Sequence, residues 1–375
     1  MRKKVLAFAL CAMMAMTALT GCGNSGSTES GATKGEGNRD KVKVSLLVTG
    51  SFGDKAFNDS AQQGMEQVKA DLSDKVDVNM IEMGNDKTKF EGALLDASES
   101  DSDIIIVGTW DMKEILENVA PDFPDKKYII FDTDVDYSLG GLDNVYSMSY
   151  KQNEAAFLAG ALAASVTTSN MEHANKEAII GFVGAKDTAA VINDSAVGYI
   201  EGAKFVNPDI KVKVSYVGSY VDSATAKELA LTQYSSGADC VFVAAGPASS
   251  GVIEAAAEKK SYVIGVDSDQ ALAYEGEPEA EYIISSAIKG VGTTIYQSIE
   301  RDLEGKLPYG TYEILGLKEG AVGLADNDIY KKTVPEAIQK SVKEVEQQLL
   351  DGKVTVDTAY GMDEKTLKDI INSAQ

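Results

Sequence analysis

Acidic, amide and aromatic side chains recur directly after apolar runs of this sequence. The stretch TGSFGDKAFNDS, residues 49–60, follows the run VSLLV and supplies Asp54, Phe57 and Asn58. Carboxylates and amides form hydrogen bonds with hydroxyl and N–H groups, and an aromatic ring stacks on a flat ligand. These residue types therefore suit a neutral ligand that is flat or hydroxylated, such as a nucleoside or a sugar.

The same stretch is a poor match to a phosphate-binding loop. Such a loop needs glycine N–H groups at a helix start and usually a cation. Here Gly50 and Gly53 are accompanied by Asp54 and Asp59, whose carboxylates would repel a phosphate. A purely structural role is the alternative to ligand binding, with Phe57 as a helix-entry contact and Asp54 as a turn residue.

The runs before these side chains must be strands of one fold if the side chains are to meet. Eight apolar runs alternate with helical stretches: VSLLVTG, VDVNMIEM, DIIIVGT, KYIIFDT, AIIGFVGA, VKVSYVGS, CVFVAAG and YVIGVDS. Continuous apolar runs separated by helices predict parallel strands buried on both faces, so the fold class is α/β. In open parallel sheets, ligands bind beyond the carboxyl ends of the strands.

The residues that follow each run therefore form a set of candidate ligand contacts. The first series of four runs supplies Ser51, Phe52, Asp54, Phe57, Asn58, Trp110, Asp111 and Asp132. The second series supplies Lys186, Asp187, Tyr220, Asp222, Gly246, Asp267 and Asp269. Most of them are acids, amides and aromatics, and cations are few.

The two series predict two lobes, as the chain length also favours. We expect a first lobe of residues 41–147 plus 286–318, in which the strand-like YIISSAIKG and the helix after it rejoin the first series. The second lobe would contain residues 148–285 plus 319–375. Several crossings between two α/β lobes would create a hinge and a cleft.

The N-terminus has the features of an export signal. Arg2, Lys3 and Lys4 precede an apolar stretch that ends in Leu-Thr-Gly-Cys22. This ending resembles the lipobox of bacterial lipoproteins, whose cysteine is acylated, for example with palmitate, and becomes the first residue. We therefore expect a signal peptide at 1–21, and a lipid anchor on Cys22 that holds the protein at the extracytoplasmic face of the cell membrane. An ordinary signal peptide with an incidental cysteine is the alternative.

Composition restricts the partners and the redox chemistry. Residues 22–40 are rich in Gly and Ser and predict a flexible tether between anchor and fold. The formal net charge of −23 argues against a nucleic-acid partner. Cys11 would leave with the signal, and Cys240 lies in the apolar run ADCVFVAA, where we expect a small buried side chain.

A calcium loop is a second possible use of the acidic residues. Asp132, Asp134, Asp136 and Asp143 match positions 1, 3, 5 and 12 of an EF-hand loop. Position 6 is Tyr137 where that loop needs glycine, and a strand precedes where a helix is required. An acidic surface loop is the simpler interpretation, so we predict neither a metal nor a cofactor.

An enzyme, such as a surface nucleoside hydrolase, is the rival from another functional class. The sequence has one histidine, His173, within the polar stretch TTSNMEHANKE, so no Ser-His-Asp or Cys-His set can be built from the cleft candidates. A mechanism that uses only carboxylates stays open. We nevertheless predict a binding protein, because a tethered two-lobe cleft suits capture and delivery.

Six motifs in order carry a family resemblance: GDKAFNDSAQQG, FLAGALAA, IGFVGA, AAGPASSGVIEAA, VIGVDSDQ and AIKG. Behind a lipobox, they resemble the basic membrane protein family, the purine nucleoside-binding lipoproteins of ABC importers. The likeness extends from about Val42 to Ala325. It implies a type I periplasmic-binding-protein fold, with two Rossmann-like lobes joined by a three-crossing hinge, and an ABC permease and ATPase as partners.

The resemblance also assigns roles within the cleft. Phe57 would stack on the base, with Asp54 or Asn58 as a polar contact. Asp132 would bind the edge of the base, and Asp267 in VIGVDSDQ would hold the ribose hydroxyls. These roles imply a purine nucleoside that is captured by hinge closure.

The resemblance assigns the remaining ligand contacts only in part. Lys289 in AIKG would contact base or ribose, and Gly246 in AAGP would let the backbone approach the sugar. The family usually has a second aromatic residue after GFVG, but this chain has polar residues there, and Tyr199 lies deep in the helical pattern. Trp110 and Tyr220 are alternatives for the second stacking face. A sensor, or a binding protein for a sugar, riboflavin or another nucleobase compound, stays open.

Overall fold

The computed structural model describes residues 41–375. The predicted signal peptide, the lipid anchor at Cys22 and the tether lie outside the described residues. Strands and helices alternate in the first part of the chain: β1 (Val42–Val48), α1 (Phe57–Asp71), β2 (Val76–Glu82), α2 (Phe90–Glu99), β3 (Ile104–Gly108), α3 (Lys113–Val119), β4 (Lys127–Phe131), β5 (Val145–Tyr150) and α4 (Gln152–Thr167).

The alternation continues through the second part: β6 (Ile179–Gly184), α5 (Ala190–Val206), β7 (Lys211–Tyr216), α6 (Ser223–Ser235), β8 (Cys240–Ala244), α7 (Ser249–Lys259), β9 (Tyr262–Asp267), α8 (Gln270–Ala273) and β10 (Ile283–Lys289). The last part contains α9 (Val291–Leu303), β11 (Thr311–Leu315), β12 (Val322–Leu324), α10 (Asp328–Thr333), α11 (Glu336–Leu350) and α12 (Glu364–Asn372). All eight apolar runs form strands, as predicted.

Within the described residues the strands form two six-stranded sheets, one in each lobe. Their orders are β11-β5-β4-β3-β1-β2 and β12-β10-β9-β8-β6-β7. All neighbouring strands are parallel except β12, which is antiparallel to β10. The central strands β3, β8 and β9 are buried along their whole length, which explains their continuous apolar sequences. The predicted α/β class with two lobes is therefore confirmed.

Three crossings join the two lobes in the described part of the chain. They lie between β5 and α4, between β10 and α9, and between β11 and β12. Helix α9 returns to the first lobe by packing on α1, where Gly64 and Gly292 meet so closely that a Cβ on Gly64 would lie 2.3 Å from the Gly292 carbonyl oxygen. The three-crossing hinge agrees with the expected type I periplasmic-binding-protein fold.

The return to the first lobe begins later than predicted. Residues 286–318 were expected to belong to the first lobe, but β10 pairs with β9 and β12 of the second sheet. Only α9 and β11 rejoin the first lobe. A strand buried on both faces has the same apolar pattern in either sheet, so its sequence did not identify its neighbours.

The C-terminal helices lie on the second lobe. Helix α11 packs on α4, and α12 packs on α5. In residues 41–375, no helix combines the length with the apolar composition that a membrane span requires.

Candidate functional site

A cavity of about 500 Å³ lies between the lobes, where the strands of both sheets end. Its lining contains all eight ligand contacts expected from the sequence: Asp54, Phe57, Asn58, Trp110, Asp132, Gly246, Asp267 and Lys289. The volume falls within the usual range for small-molecule sites. Because five of these residues belong to the first lobe and three to the second, both lobes form the wall.

Four lining residues at strand ends adopt a left-handed backbone conformation. They are Thr109 (φ 71°), Asp132 (φ 64°), Gly246 (φ 57°) and Asp267 (φ 67°). Such values are uncommon outside glycine, although aspartate tolerates them better than a β-branched threonine does. Each turns the chain sharply as it leaves its strand. Strained positions of this kind cluster at functional sites, which agrees with a binding role for the cavity.

The loop before α1 is built by the side chains of Asp54 and Asn58. The Asp54 carboxylate accepts hydrogen bonds from the backbone N–H groups of Ala56 and Asn58, both at 2.9 Å, and of Asp59 at 3.1 Å. Asn58 donates its amide to the carbonyl oxygens of Thr49 and Ser51. Both side chains line the cavity, but these bonds fix the loop. Because the Asp54 carboxylate already accepts hydrogen bonds from the first N–H groups of α1, these groups are not available to bind a phosphate.

Phe57 forms an aromatic wall beside a buried cation. Its ring centroid is 5.7 Å from that of Phe131, and the Lys289 Nζ lies 5.5 Å from the Phe57 centroid. The Phe57 ring is half-buried at the start of α1 and is supported from behind by the first sheet. It is therefore a preformed surface on which a planar ligand could stack.

The charged centre of the cavity consists of Lys289 and two aspartates. Lys289 Nζ donates to Asp132 Oδ1 at 2.9 Å, and its side chain is 7% exposed. Burial disfavours the ammonium group, but the carboxylates of Asp132 and Asp267 outweigh burial and raise the pKa of Lys289. Burial raises the pKa of Asp267 to about 6, although the Lys289 charge lowers it in part. The centre therefore offers buried acceptors for hydroxyl and N–H groups.

Aliphatic residues of the second lobe occupy the region where a second aromatic was expected. Val191 and Ile192 of α5 line the cavity together with Ala155 of α4, and Ser195 of α5 is a polar neighbour in the same lining. Tyr199 is fully buried and packs on Phe182 and Phe242 in the core, so it does not line the cavity.

Trp110 and Tyr220, the two alternatives for that face, both line the cavity. Trp110 is 66% exposed, and the Lys87 Nζ lies 4.8 Å from its ring centroid. The Lys186 Nζ lies 5.3 Å from the Tyr220 centroid. Each aromatic ring therefore already has a cation beside one face.

Gln152 is a lining residue that was not among the sequence candidates. It lies two residues after the end of β5 at Tyr150, so the rule that polar residues at strand ends form the site includes it. The run SMSY before it is not continuously apolar, so the sequence indicates a connection between the two series of strands at this segment. Its side chain is buried and bonds to Asp194, which is 42 residues away in the sequence.

The acidic residues of the proposed calcium loop have separate roles. Asp132 pairs with Lys289, Asp134 pairs with Lys113 at 2.8 Å, and Asp136 caps the turn at Ser138. No group of three or more His, Cys, Asp or Glu side chains suited to a metal occurs among residues 41–375.

The single histidine and Cys240 lie away from the cavity lining. His173 packs on the rings of Tyr262 and Tyr282, with centroid distances of 5.3 and 5.7 Å. Cys240 is buried in β8, as expected, and burial raises the pKa of its thiol well above the ordinary value. A buried thiol with a raised pKa is a poor nucleophile.

Comparison with known proteins agrees with this geometry. The family described as "ABC transporter substrate-binding protein PnrA-like" matches residues 41–351. Basic membrane protein D of Borreliella burgdorferi (strain JD1) is 33% identical over 324 residues, which cover 86% of this chain and 89% of that protein. The ABC transporter nucleoside-binding protein BmpA of Lactococcus lactis subsp. cremoris (strain MG1363) is 30% identical over 383 residues, with coverage of 95% and 99%.

A solved structure supports the same relationship. The ABC transporter solute-binding protein from Aeropyrum pernix K1 aligns with a TM-score of 0.75 and 26% identity, covering 89% of this chain and 97% of that chain. The resemblance to the basic membrane protein family is thus confirmed at the level of both sequence and fold. This chain belongs to the PnrA-like family of ABC transporter substrate-binding proteins.

Proposed function

We propose that this protein captures purine nucleosides outside the cytoplasm and delivers them to an ABC permease with its ATPase. The observation that carries the proposal is the cavity, which combines the Phe57 ring with the buried centre of Lys289, Asp132 and Asp267. A nucleoside has a planar base for the ring and hydroxyl groups for the carboxylates. The printed name of the lactococcal relative, a nucleoside-binding protein, supports the same ligand class.

The proposed contacts divide the ligand between the lobes. The base stacks on Phe57 and presents its edge to Asp132, while Asp267 accepts hydrogen bonds from the ribose hydroxyls. Lys289 contacts the base or ribose, and Gly246 admits the sugar to the backbone. At Gly246, φ is 57°, so a side chain there would be strained.

Five further residues have supporting roles in the proposed site. Asp54 and Asn58 hold the loop that carries Phe57, and Trp110 covers the cavity mouth. Val191 and Ile192 supply an apolar second face for the base. They bury area without the stacking geometry of an aromatic ring.

Hinge closure is the proposed mechanism. A ligand that contacts both lobes favours the closed state, because only that state makes all of its contacts. One cross-lobe connection already exists beside Phe57: the Lys55 carbonyl oxygen accepts hydrogen bonds from Ser268 Oγ at 2.8 Å and Gln270 Nε2 at 3.3 Å. We propose that the permease recognises the closed form.

The proposed location depends on Cys22. We propose that residues 1–21 are removed and that an acylated Cys22 holds the protein at the outer face of the cell membrane. Mass spectrometry of the mature N-terminal peptide from the membrane fraction tests this directly. An acylated peptide that starts at Cys22 is the expected result, and an unmodified or uncleaved N-terminus would refute the anchor.

Isothermal titration calorimetry of the refolded, ligand-free protein tests the nucleoside assignment. The ligands are adenosine, guanosine, inosine, cytidine, uridine, ribose and riboflavin, and the fluorescence of Trp110, the single tryptophan, gives a second signal at the cavity mouth. We expect purine nucleosides to bind most tightly. Phe57→Ala should weaken them by about five- to 150-fold, because a base–aromatic stack contributes about 1 to 3 kcal/mol.

Phe205→Ala is the matched control for this test. Phe205 is a surface aromatic of α5 that packs on Phe157 and does not line the cavity, so its loss should leave the affinity unchanged. No heat from any nucleoside, from a protein shown to be folded, would overturn the assignment. Heat from ribose or riboflavin alone would favour the alternative ligand classes, and release of free base from bound nucleoside would favour a hydrolase.

A further inference from the structure

Asp194 is a buried carboxylate that the proposed binding mechanism does not use. It lies in α5, is 1% exposed, and accepts three hydrogen bonds. One oxygen accepts from Gln152 Nε2 at 2.6 Å, and the other accepts from Thr358 Oγ1 at 2.6 Å and from the Ala359 N–H at 2.9 Å. The carboxylate therefore connects a cavity-lining side chain to a segment near the C-terminus.

That segment, residues 353–363 between α11 and α12, is here called the C-terminal strap. It lies along α4 and α5, and Asn153 at the start of α4 donates to the carbonyl oxygens of Val356 and Asp357 at 3.3 and 3.0 Å. The Asp357 N–H donates to Glu201 at 3.1 Å. The family match ends at residue 351, so the strap lies outside the matched range. Its bonds to α4 and α5 hold it against the second lobe, close to the hinge.

The bond to Asp194 fixes the orientation of the Gln152 amide. The Thr358 hydroxyl and the Ala359 N–H both donate to Asp194, as they would to an ionised carboxylate, and such a group accepts from the amide nitrogen of Gln152 rather than from its oxygen. No donor among residues 41–375 bonds to the Gln152 carbonyl oxygen. Gln152 is 6% exposed and lines the cavity. Its oxygen is therefore an acceptor that the rest of the site leaves available.

The position of Gln152 indicates which part of the ligand it meets. It shares the second-lobe wall with Ala155, Val191 and Ile192, the apolar face proposed for the base. On its other side Gln152 is held through Asp194, which accepts hydrogen bonds from Thr358 and Ala359 of the strap. Gln152 thus belongs to the wall of the cavity that would face the base.

We propose that Gln152 is a specificity-determining contact that accepts a hydrogen bond from an N–H group on the edge of the base, and that Asp194 and the C-terminal strap are positioning elements for it. The inference rests on the proposed nucleoside function and adds a selection rule to it. Bases with an N–H donor at this edge are preferred over a base without one. Thr358 acts only through Asp194, so its contribution to affinity depends on Gln152.

A double-mutant cycle measured by calorimetry tests both the contact that Gln152 makes and its positioning through Asp194 and the C-terminal strap. Gln152→Met keeps the length of the side chain but removes the amide, and Thr358→Val keeps its shape but removes the hydroxyl. With guanosine, inosine and adenosine as ligands, we expect each single variant to weaken the tightest complex by about two- to tenfold, the worth of one neutral hydrogen bond. In the Gln152→Met background, Thr358→Val should have no further effect.

Ligand and protein controls separate this role from a general structural one. Purine riboside has no N–H on its base, so Gln152→Met should leave its affinity unchanged. Thr366→Val removes a comparable hydroxyl–carboxylate bond, to Asp363 at 2.7 Å, from the start of α12 and should not change the affinity for any ligand. Thermal unfolding of each variant, compared with the wild type, shows that it is folded.

The outcomes distinguish the two proposals. If the wild type binds nucleosides but the Gln152 and Thr358 effects are independent, or if Gln152→Met weakens purine riboside equally, the inference about Gln152 is wrong and the nucleoside function stands. If the wild type binds no nucleoside, the proposed function fails, and the contact to the base fails with it.

Discussion

Lys289→Met is expected to lower the free energy of unfolding by about 3 to 5 kcal/mol at neutral pH, the usual cost of breaking a buried ion pair from one side. The Lys289 side chain is 7% exposed, and that of its partner Asp132 is 14% exposed. Without the ammonium group, the carboxylates of Asp132 and Asp267 are left in the cavity with little to offset their burial and their mutual repulsion. Nucleoside binding should be lost in the same variant.

The loss of stability in Lys289→Met should become smaller as the pH falls. Removal of Lys289 raises the pKa of Asp267 further, because the ammonium group is what lowers it now. Protonation then relieves the buried charge, so the difference between variant and wild type should shrink as the pH falls from about 7.5 to about 5. Urea unfolding of the variant and the wild type at the two pH values measures this difference in the free energy of unfolding.

Lys113→Met is the matched control for this experiment. Lys113 pairs with Asp134 at 2.8 Å, a distance close to that of the Lys289 pair, but the two side chains are 33% and 47% exposed. Its loss should cost less than about 1 kcal/mol, since solvent screens a pair of this kind. Equal destabilisation by the two substitutions would show that Lys289 does not hold a buried charged centre.

The sequence could predict that residues from distant segments line one cavity, because this follows from the topology of the parallel sheets. The carboxyl ends of parallel strands meet at one edge of a sheet, so residues as distant as Phe57 and Asp267 reach the same cavity. The roles of individual polar residues could not be predicted in this way. Asp54 and Asn58 have the types expected of ligand contacts, but the same types also cap helices and fix loops, and here they do so.

Most of the structural features that could not be predicted from the sequence depend on contacts between residues that are distant in the chain. Gln152 is fixed only when Asp194 and Thr358 reach it from two other segments, and no local pattern indicates that meeting. The same limit applies to β10, whose apolar residues fit either sheet and whose true neighbours are β9 and β12. Local periodicity identifies an element, whereas tertiary packing decides where it lies.

The absence of an aromatic residue at the start of α5 bears on ligand choice. In the proposed complex, a base held between Phe57 and the aliphatic Val191 and Ile192 would forgo about 1 to 3 kcal/mol of stacking relative to a base between two rings. Polar contacts to the base edge and the ribose must then carry more of the affinity and selectivity. In this proposal the charged centre and Gln152 supply, together with Phe57, the contacts that a second ring would otherwise share.

Asp267→Asn is expected to raise the stability of the ligand-free protein while reducing its affinity for nucleosides. The side chain of Asp267 is 8% exposed in the cavity, and burial raises its pKa to about 6. An unfolded aspartate has a pKa near 3.9, so the folded protein disfavours the ionised form by about two pH units, or up to about 3 kcal/mol. An asparagine of the same shape avoids that cost, but it replaces the proposed anionic acceptor for ribose hydroxyls by a weaker, neutral one.

The sign of the pH dependence follows from the same shift. A carboxyl group whose pKa is higher in the folded state costs nothing below the unfolded pKa of about 3.9, and its cost is complete once the pH passes the folded pKa. The stability advantage of Asp267→Asn should therefore be absent near pH 4, grow between about pH 4 and pH 6, and be constant above about pH 7. Urea unfolding over this range, with nucleoside affinity measured in parallel, gives both curves.

Asp302→Asn is the control that should change stability in the opposite direction. Asp302 is also 8% exposed, but it accepts hydrogen bonds from Lys127 Nζ at 2.6 Å and from the Tyr309 hydroxyl at 3.0 Å, so neutralising it removes a satisfied interaction. Opposite signs for two equally buried aspartates would show that Asp267 is retained at a cost to stability, as expected of a residue kept for binding. If Asp267→Asn is destabilising like Asp302→Asn, Asp267 has a structural role and its assignment to the ribose must be abandoned.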